Sequence, residues 1–315
     1  MPNRRDAADI FEIHRMQATI DGHEVVAGVQ PLCGANLVSL RVDGHEYLHY
    51  DDDAARRPER VYSGCFVMFP TPCRLRDGRY EVHGEAITQR KAGRLVDIHG
   101  LVRDEPFEFC LSEGGIDLHL DITPDHPVYE GYPFPGRLSL RMQLMARGLE
   151  YSFSFENHGR RPAPVGFGLH PYWRIPGRRE DVCIRIPFGQ VMLAEELIPT
   201  GPTRPVAGTP LDLRQTRPLE GLDLDNVFLE RLGDDPARIE FRDIGKCMTL
   251  RADEVFSHQV LYTPPGKPFV CVEDLTCAPN AMNLQSVPQE VSGFRVIGPG
   301  EVFGGTTRFV VENLQ

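Results

Sequence analysis

The chain has 315 residues, 41% of them apolar and 25% charged, which suits a sizeable core and argues against disorder. Lysine and arginine total 34 against 45 aspartate and glutamate, a formal charge of −11. That balance excludes a general binder of nucleic acid or of anionic membranes, because both need a basic face.

At the N-terminus, MPNRRDAADIFEIHRMQATIDG sets Arg4 and Arg5 ahead of no apolar run of signal-peptide length. Nowhere does the chain approach the roughly 18–20 apolar residues of a membrane span. A cytoplasmic home is expected. From there the dominant period is two. LVSLRV alternates from Leu37 through Leu40 and Val42, with a slip at Val38. EYLHYDDDAARRPER predicts one short helix before Pro58. IDLHLDI puts Ile116, Leu118, Leu120 and Ile122 on one face, and LSLRMQL follows. LEYSFSF aligns Leu149, Tyr151, Phe153 and Phe155, and VCIRI aligns Val182, Ile184 and Ile186. TTRFVVE closes the series. Such alternation marks half-buried strands of antiparallel sheets.

Thirty glycines and 27 prolines punctuate these runs along the whole length. Short strands broken this often predict a β-sandwich or barrel. The Pro- and Thr-rich stretch from Leu197 to Gly221 reads as a long ordered connection. No composition shift divides the chain, so the expectation is a single domain over residues 1–315, an all-β, large antiparallel β-sandwich. The eight cysteines form no C-x-x-C pair and read as free thiols packed as small apolar residues.

Five polar clusters stand out. In FVMFPTPCRLRDGRY two prolines frame the approach to Arg74, whose fork of donors suits hydroxyls or carboxylates. A surface arginine beside a D-G turn explains Arg76 and Arg79, and for Arg74 the two readings stay level. In VDIHGLVRDEPFE, His99 precedes Gly100, which by itself is more often a structural position than a functional one. In VGFGLHPYWRIPG, His170 precedes Pro171, Tyr172 and the only tryptophan, Trp173. That is an aromatic core corner or a sugar-stacking wall beside a proton-transfer group. In GLDLDNVFLE, Asp223 and Asp225 suit a turn or a ligand hydroxyl. In GKPFVCVEDLTCAPNAMNL, Glu273 ends an apolar run, where burial would raise its proton affinity. Alternation sends Asp274 the other way, towards solvent. No G-x-S-x-G elbow, Walker A loop, H-E-x-x-H or Rossmann glycine pattern occurs.

In order and spacing these clusters resemble the aldose 1-epimerase (galactose mutarotase-like) family. GANLVSLRVDGHEYLH resembles its early strand pair, FPTPCRLRDGRY its arginine loop, IHGLVRDEPFE its first histidine segment, and GFGLHPYWRIPG its "HPY" segment. LIPTG, DNVF and CVEDLTCAPNAMNL resemble the later elements ending in the glutamate strand. The matches run from about Gly34 to Leu284. The resemblance implies a supersandwich fold holding a sugar in a cleft on one face. It implies Glu273 as general base, His170 as general acid and His99 as a supporting histidine at the ring oxygen. Arg74 and Asp225 would bind sugar hydroxyls, and Tyr172 and Trp173 would form an aromatic wall.

Cys73 departs from the family's usual Asn, Trp173 from its usual Phe, and Asn280 from a common Asp. These departures touch sugar recognition more than proton transfer. The implied activity interconverts the α and β anomers of a free aldose such as galactose or glucose, with no metal and no organic cofactor. The implied partner is the small-molecule sugar, neither nucleic acid nor membrane, with the chain a monomer or homodimer. A sugar-phosphate mutarotase using Arg74, Arg76 and Arg174 is the alternative, as is a non-catalytic sugar-binding or sensor protein on the same fold.

Overall fold

The computed structural model describes residues 9–57 and 61–314, so the Arg4–Arg5 pair and Pro58 lie outside the described residues. Two large sheets dominate, and every strand pairing within them is antiparallel. The alternating runs after LVSLRV lie in a nine-stranded sheet, whereas Asn36–Val42 belongs to the other. Gly115–Ile122, Gly136–Met145 and Gly148–Asn157 make an up-and-down meander, and Val302–Asn313 pairs with the last of them. In the first of these strands Ile116, Leu118, Leu120 and Ile122 are buried, while Asp117, His119 and Asp121 face outward. Each such core side chain contributes about 1.5–3 kcal/mol of transfer free energy.

The second sheet has eleven strands, and at its centre lie Cys65–Met68, Gly168–Arg174, Phe269–Leu275 and His258–Tyr262. These strands are covered on both faces. Cys65 and Val67 pack into the core between the sheets, whereas Phe66 and Met68 join a second apolar cluster with Met192, Val227, Val260 and Leu275. Two-sided cover explains why FVCV reads as a continuous apolar run instead of an alternating one.

Three sequence expectations are refined here. The slip at Val38 is a β-bulge: Gly28 faces Ser39 and Val29 faces Leu37, leaving Val38 unopposed. The short helix is a single turn, Asp52–Ala55, capped by the Asp51 carboxylate accepting from Ala54 N at 2.9 Å. The stretch from Leu197 to Gly221 is only partly a connection. Its first third forms Ile198–Pro205, an edge strand where prolines cost no ladder bond. Arg217–Pro218 then joins the other sheet, so the segment passes from one sheet to the other.

One expectation is overturned. Asp274 does lie on the face opposite Glu273, but that face is the core between the sheets, not solvent. Its carboxylate accepts from Gln259 Nε2 at 2.9 Å and from Thr307 Oγ1 of the nine-stranded sheet at 2.8 Å. Among the described residues no helix is long and apolar enough to cross a membrane. All eight cysteines are free.

His258 gives a test of this packing. It is fully buried, Nε2 donates to Val291 O at 2.8 Å, and Nδ1 meets Ser257 Oγ at 2.8 Å. Burial pushes its pKa down to about 4. The unfolded chain binds this proton near pH 6.5 and the folded chain does not. Its stability contribution is therefore complete above pH 6.5 and is lost as pH falls towards 4. His258→Gln should flatten the acid side of a urea-midpoint-against-pH curve by one proton, about 1.4 kcal/mol per pH unit. A parallel curve for the variant would contradict this account.

Candidate active site

His170 and Glu273 are separated widely in sequence and joined by strand register. Gly168 pairs with Leu275 and Tyr172 with Cys271, which sets His170 opposite Glu273 on adjacent central strands. His170 Nε2 lies 3.3 Å from Glu273 Oε1, with the two residues 5% and 2% exposed. The other carboxylate oxygen, Oε2, accepts from the Cys73 thiol at 3.4 Å. The His170 ring stacks on Tyr172 at 4.8 Å and packs against Phe66 at 4.8 Å. His99 stands perpendicular to it, with ring centroids 5.0 Å apart.

His99 reaches this position through an irregular loop stitched to its neighbours. His99 N donates to Cys73 O at 2.7 Å and Leu101 N to Phe69 O at 2.7 Å. Both His99 and Gly100 take positive φ, and a Cβ on Gly100 would lie 2.3 Å from Phe69 O. Only glycine fits that close approach. Asn280 ties in a third segment: its N donates to Arg74 O at 2.8 Å, and its Oδ1 accepts from Arg76 N at 3.1 Å.

These groups form the floor and one wall of a cavity of about 350 Å³, a size suited to a small ligand. Cys73, Arg74, His99, His170, Tyr172 and Glu273 all line it, and Asp225 stands at its exposed side. Met192, Leu197, Asn226, Val260 and Tyr262 complete the lining, with Val260 directly beside Glu273 on the adjacent strand. A larger basin of about 800 Å³ lies against Arg147, Arg185, Arg238 and Glu312. There Arg185 is matched by Asp235 at 2.6 Å and Arg238 by Glu312 at 3.7 Å. It has no buried acid–base pair, unlike the smaller cavity.

Of the seven residues singled out in the sequence, six line one cavity and Trp173 does not. Trp173 alternates away from His170 and Tyr172 into the core between the sheets, where it meets Phe309 edge-on at 5.0 Å. The aromatic wall is Tyr172 alone on that strand. Arg76 reaches Glu195 at 4.0 Å, and Arg174 borders other surface hollows beside Tyr47 and Leu48. Among the described residues Arg74 is the single arginine or lysine of the cavity wall. Sequence reasoning missed Tyr262, which faces Asp225 across a strand pair, and Arg103, whose Nη1 lies 3.1 Å from His99 Nδ1.

Electrostatics favour uncharged forms at the floor. Burial pushes the Glu273 carboxyl well above the usual range, the Cys73 hydrogen bond opposes this, and the Asp225 charge adds to it. Burial brings His170 down to about 3 and drives His99 well below its usual value, where His170, Arg103 and Arg74 push the same way. Burial, then the Glu273 charge, holds the Cys73 thiol protonated and so a donor. Desolvation by the surrounding walls raises Asp225, and Arg74 opposes it. The one proton of this touching pair therefore rests on the Glu273 carboxyl, with His170 neutral beside it. Ligand atoms of His170, Glu273 and the buried Cys271 lie within 4.8 Å of one another, a donor set that a borderline divalent ion could use.

A family model described as aldose 1-epimerase matches residues 17–310. The Escherichia coli K12 protein YihR is 23% identical over 222 residues, which is 69% of this chain and 71% of that protein. Among solved structures, the Slr1438 protein of Synechocystis sp. PCC 6803 is similar with a TM-score of 0.80 and 20% identity, over 99% of this chain and 100% of that one. A galactose mutarotase-like protein from Clostridium acetobutylicum has a TM-score of 0.79 and 18% identity, over 96% and 99%. Galactose 1-epimerase from Lactobacillus acidophilus NCFM has a TM-score of 0.72 and 17% identity, over 97% and 100%. At such identities the structural likeness speaks for the fold.

Proposed function

The chain belongs to the aldose 1-epimerase family, and we propose that it interconverts the α and β anomers of a free aldose such as galactose or glucose. The observation that carries this reading is the 3.3 Å contact of His170 with Glu273 on the floor of a sugar-sized cavity. Opening a hemiacetal moves one proton off the anomeric hydroxyl and one onto the ring oxygen. Both oxygens are bonded to the same carbon. The acid and the base must therefore stand side by side, unlike the separated carboxylates of a glycosidase.

In the reacting form the pair's proton has crossed the 3.3 Å contact to His170: the ionised Glu273 takes the hydroxyl proton, the freed electron pair forms the C1 carbonyl, and the C1–O5 bond breaks. The ring oxygen takes its proton from His170. Rotation about C1–C2 presents the other face of the aldehyde, and the same two groups run the steps backwards. His99 donates a hydrogen bond at the ring oxygen. Arg74 and Asp225 hold hydroxyls across the cavity, and Tyr172 lies against the sugar's C–H face. Each positioned acid–base group contributes about 10²–10⁴-fold, enough for a reaction that already runs slowly in water.

An uncharged sugar is favoured over a phosphorylated one. A phosphate needs several cations, and Arg74 stands alone in the wall opposite the Asp225 carboxyl. A purely sugar-binding role would have no use for a proton-sharing pair. Polarimetry on freshly dissolved α-galactose, α-glucose and their phosphorylated counterparts tests this. The free sugars should equilibrate faster with enzyme, and their phosphates much less so. Failure to accelerate any aldose would overturn the catalytic reading.

A further inference from the structure

We infer that Arg103 is a positioning residue for His99: its guanidinium fixes Nδ1 as an acceptor, so that His99 presents Nε2–H to the sugar. This rests on the acid–base reading above and deepens it.

A guanidinium has donors only. Its Nη1 lies 3.1 Å from His99 Nδ1, so Nδ1 must offer a lone pair. A neutral imidazole carries one N–H, which then sits on Nε2. Arg103 is absent from the cavity wall and His99 is part of it, which leaves Nε2 as the nitrogen turned towards the ligand.

Arg103 is itself held. Its Cζ lies 4.1 Å from the centroid of the Tyr62 ring. Its backbone packs so tightly on Gly34 that a Cβ there would come 2.1 Å from Arg103 O. Gly34 N donates to Glu105 O at 2.8 Å, pinning the same loop. Among the described residues no carboxylate pairs with Arg103. Its charge is thus turned on the imidazole and on the Tyr62 face.

The charged and titratable groups around the His99 ring act in one direction. His170 faces it from Gly168–Arg174, Arg74 and Cys73 from the loop after Met68, and Arg103 from its own loop. The carboxyls of Glu273, which touches His170, and Asp225 line the same cavity. A third positive charge on His99 would sit between Arg74 and Arg103, so the ring stays neutral. A free imidazole would divide between two tautomers, and the Nδ1–H form would turn a lone pair to the ring oxygen where a donor is needed.

The test is ¹⁵N NMR of the histidine rings with polarimetric kinetics on wild type, Arg103→Met and Arg103→Lys. Wild-type His99 should show the Nε2–H tautomer and no titration from pH 8 to 5. Arg103→Met should show mixed tautomers and a His99 that titrates in that range. Its kcat should fall about ten-fold, the worth of one hydrogen bond, with KM little changed. Arg103→Lys keeps a donor and should restore the tautomer and most of kcat. An Nδ1–H tautomer in the wild type overturns the inference whether or not the variants fold, and so does an unaltered tautomer with wild-type kcat in Arg103→Met. Wild-type protein that accelerates no aldose would instead overturn the proposed reaction, and the tautomer result would still stand alone.

Discussion

Glu273→Gln is expected to lower kcat for mutarotation by about 10²–10⁴-fold while leaving KM for the sugar close to its wild-type value. Glutamine keeps the shape of the side chain and an oxygen for the Cys73 thiol to donate to at the position of Oε2. What it loses is the site that accepts the hydroxyl proton. Binding energy drawn from Arg74, Asp225 and Tyr172 is untouched, so the loss falls on kcat. Stability should move the other way. Burial in the wild type raises the Glu273 carboxyl well above its usual range. The folded chain therefore holds this proton to a higher pH than the unfolded chain does. The associated stability is complete below about pH 4.5 and is lost as pH rises through the folded value. Glutamine has no proton to lose, so the variant's urea midpoint should fall less between pH 5 and pH 8. Turnover like the wild type in this variant would remove Glu273 from the mechanism. A fall in both proteins by the same amount would show that its carboxyl is not held in the neutral form.

Much of this architecture is legible in the period-two pattern. Ile116 to Ile122 and Leu149 to Phe155 announce strands with one buried face, and they form such strands in the nine-stranded sheet. Alternation also carries relative direction. It separates Glu273 from Asp274 and, read strictly, separates His170 and Tyr172 from Trp173. What alternation does not carry is what covers each face. A strand in the middle of the larger sheet has a core on one side and a cavity on the other, so Asp274 is buried against Thr307 and Gln259 where solvent was expected.

The contact between His170 and Glu273 depends on register between distant strands, which no local pattern encodes. Their assignment from sequence came through family resemblance. Arg103 was beyond reach for a different reason. It meets His99 from four residues away in a loop of positive φ values, where neither a helical nor a strand period predicts which side chains touch.

Trp173 supplies the second large effect. Trp173→Ala should cost about 3–5 kcal/mol of stability, the range for removing a large aromatic side chain from a core. The indole is fully buried between the sheets and meets Phe309 of the opposite sheet edge-on, so alanine leaves a void that two central strands must span. Trp173→Phe should cost much less. The indole Nε1 is buried with no partner, an unfavourable condition that phenylalanine removes along with part of the packing. The two losses oppose each other, whereas in alanine the packing loss dominates. Neither variant, assayed where it is folded, should change KM for the sugar more than about two-fold, since only the neighbouring Tyr172 reaches the cavity. Urea unfolding with polarimetric KM measurements separates the two roles. A KM that rises steeply in Trp173→Phe at unchanged stability would return the tryptophan to the sugar site. A large loss of stability in alanine with KM intact fixes it as the rivet between the sheets, on the core face of the strand that carries His170.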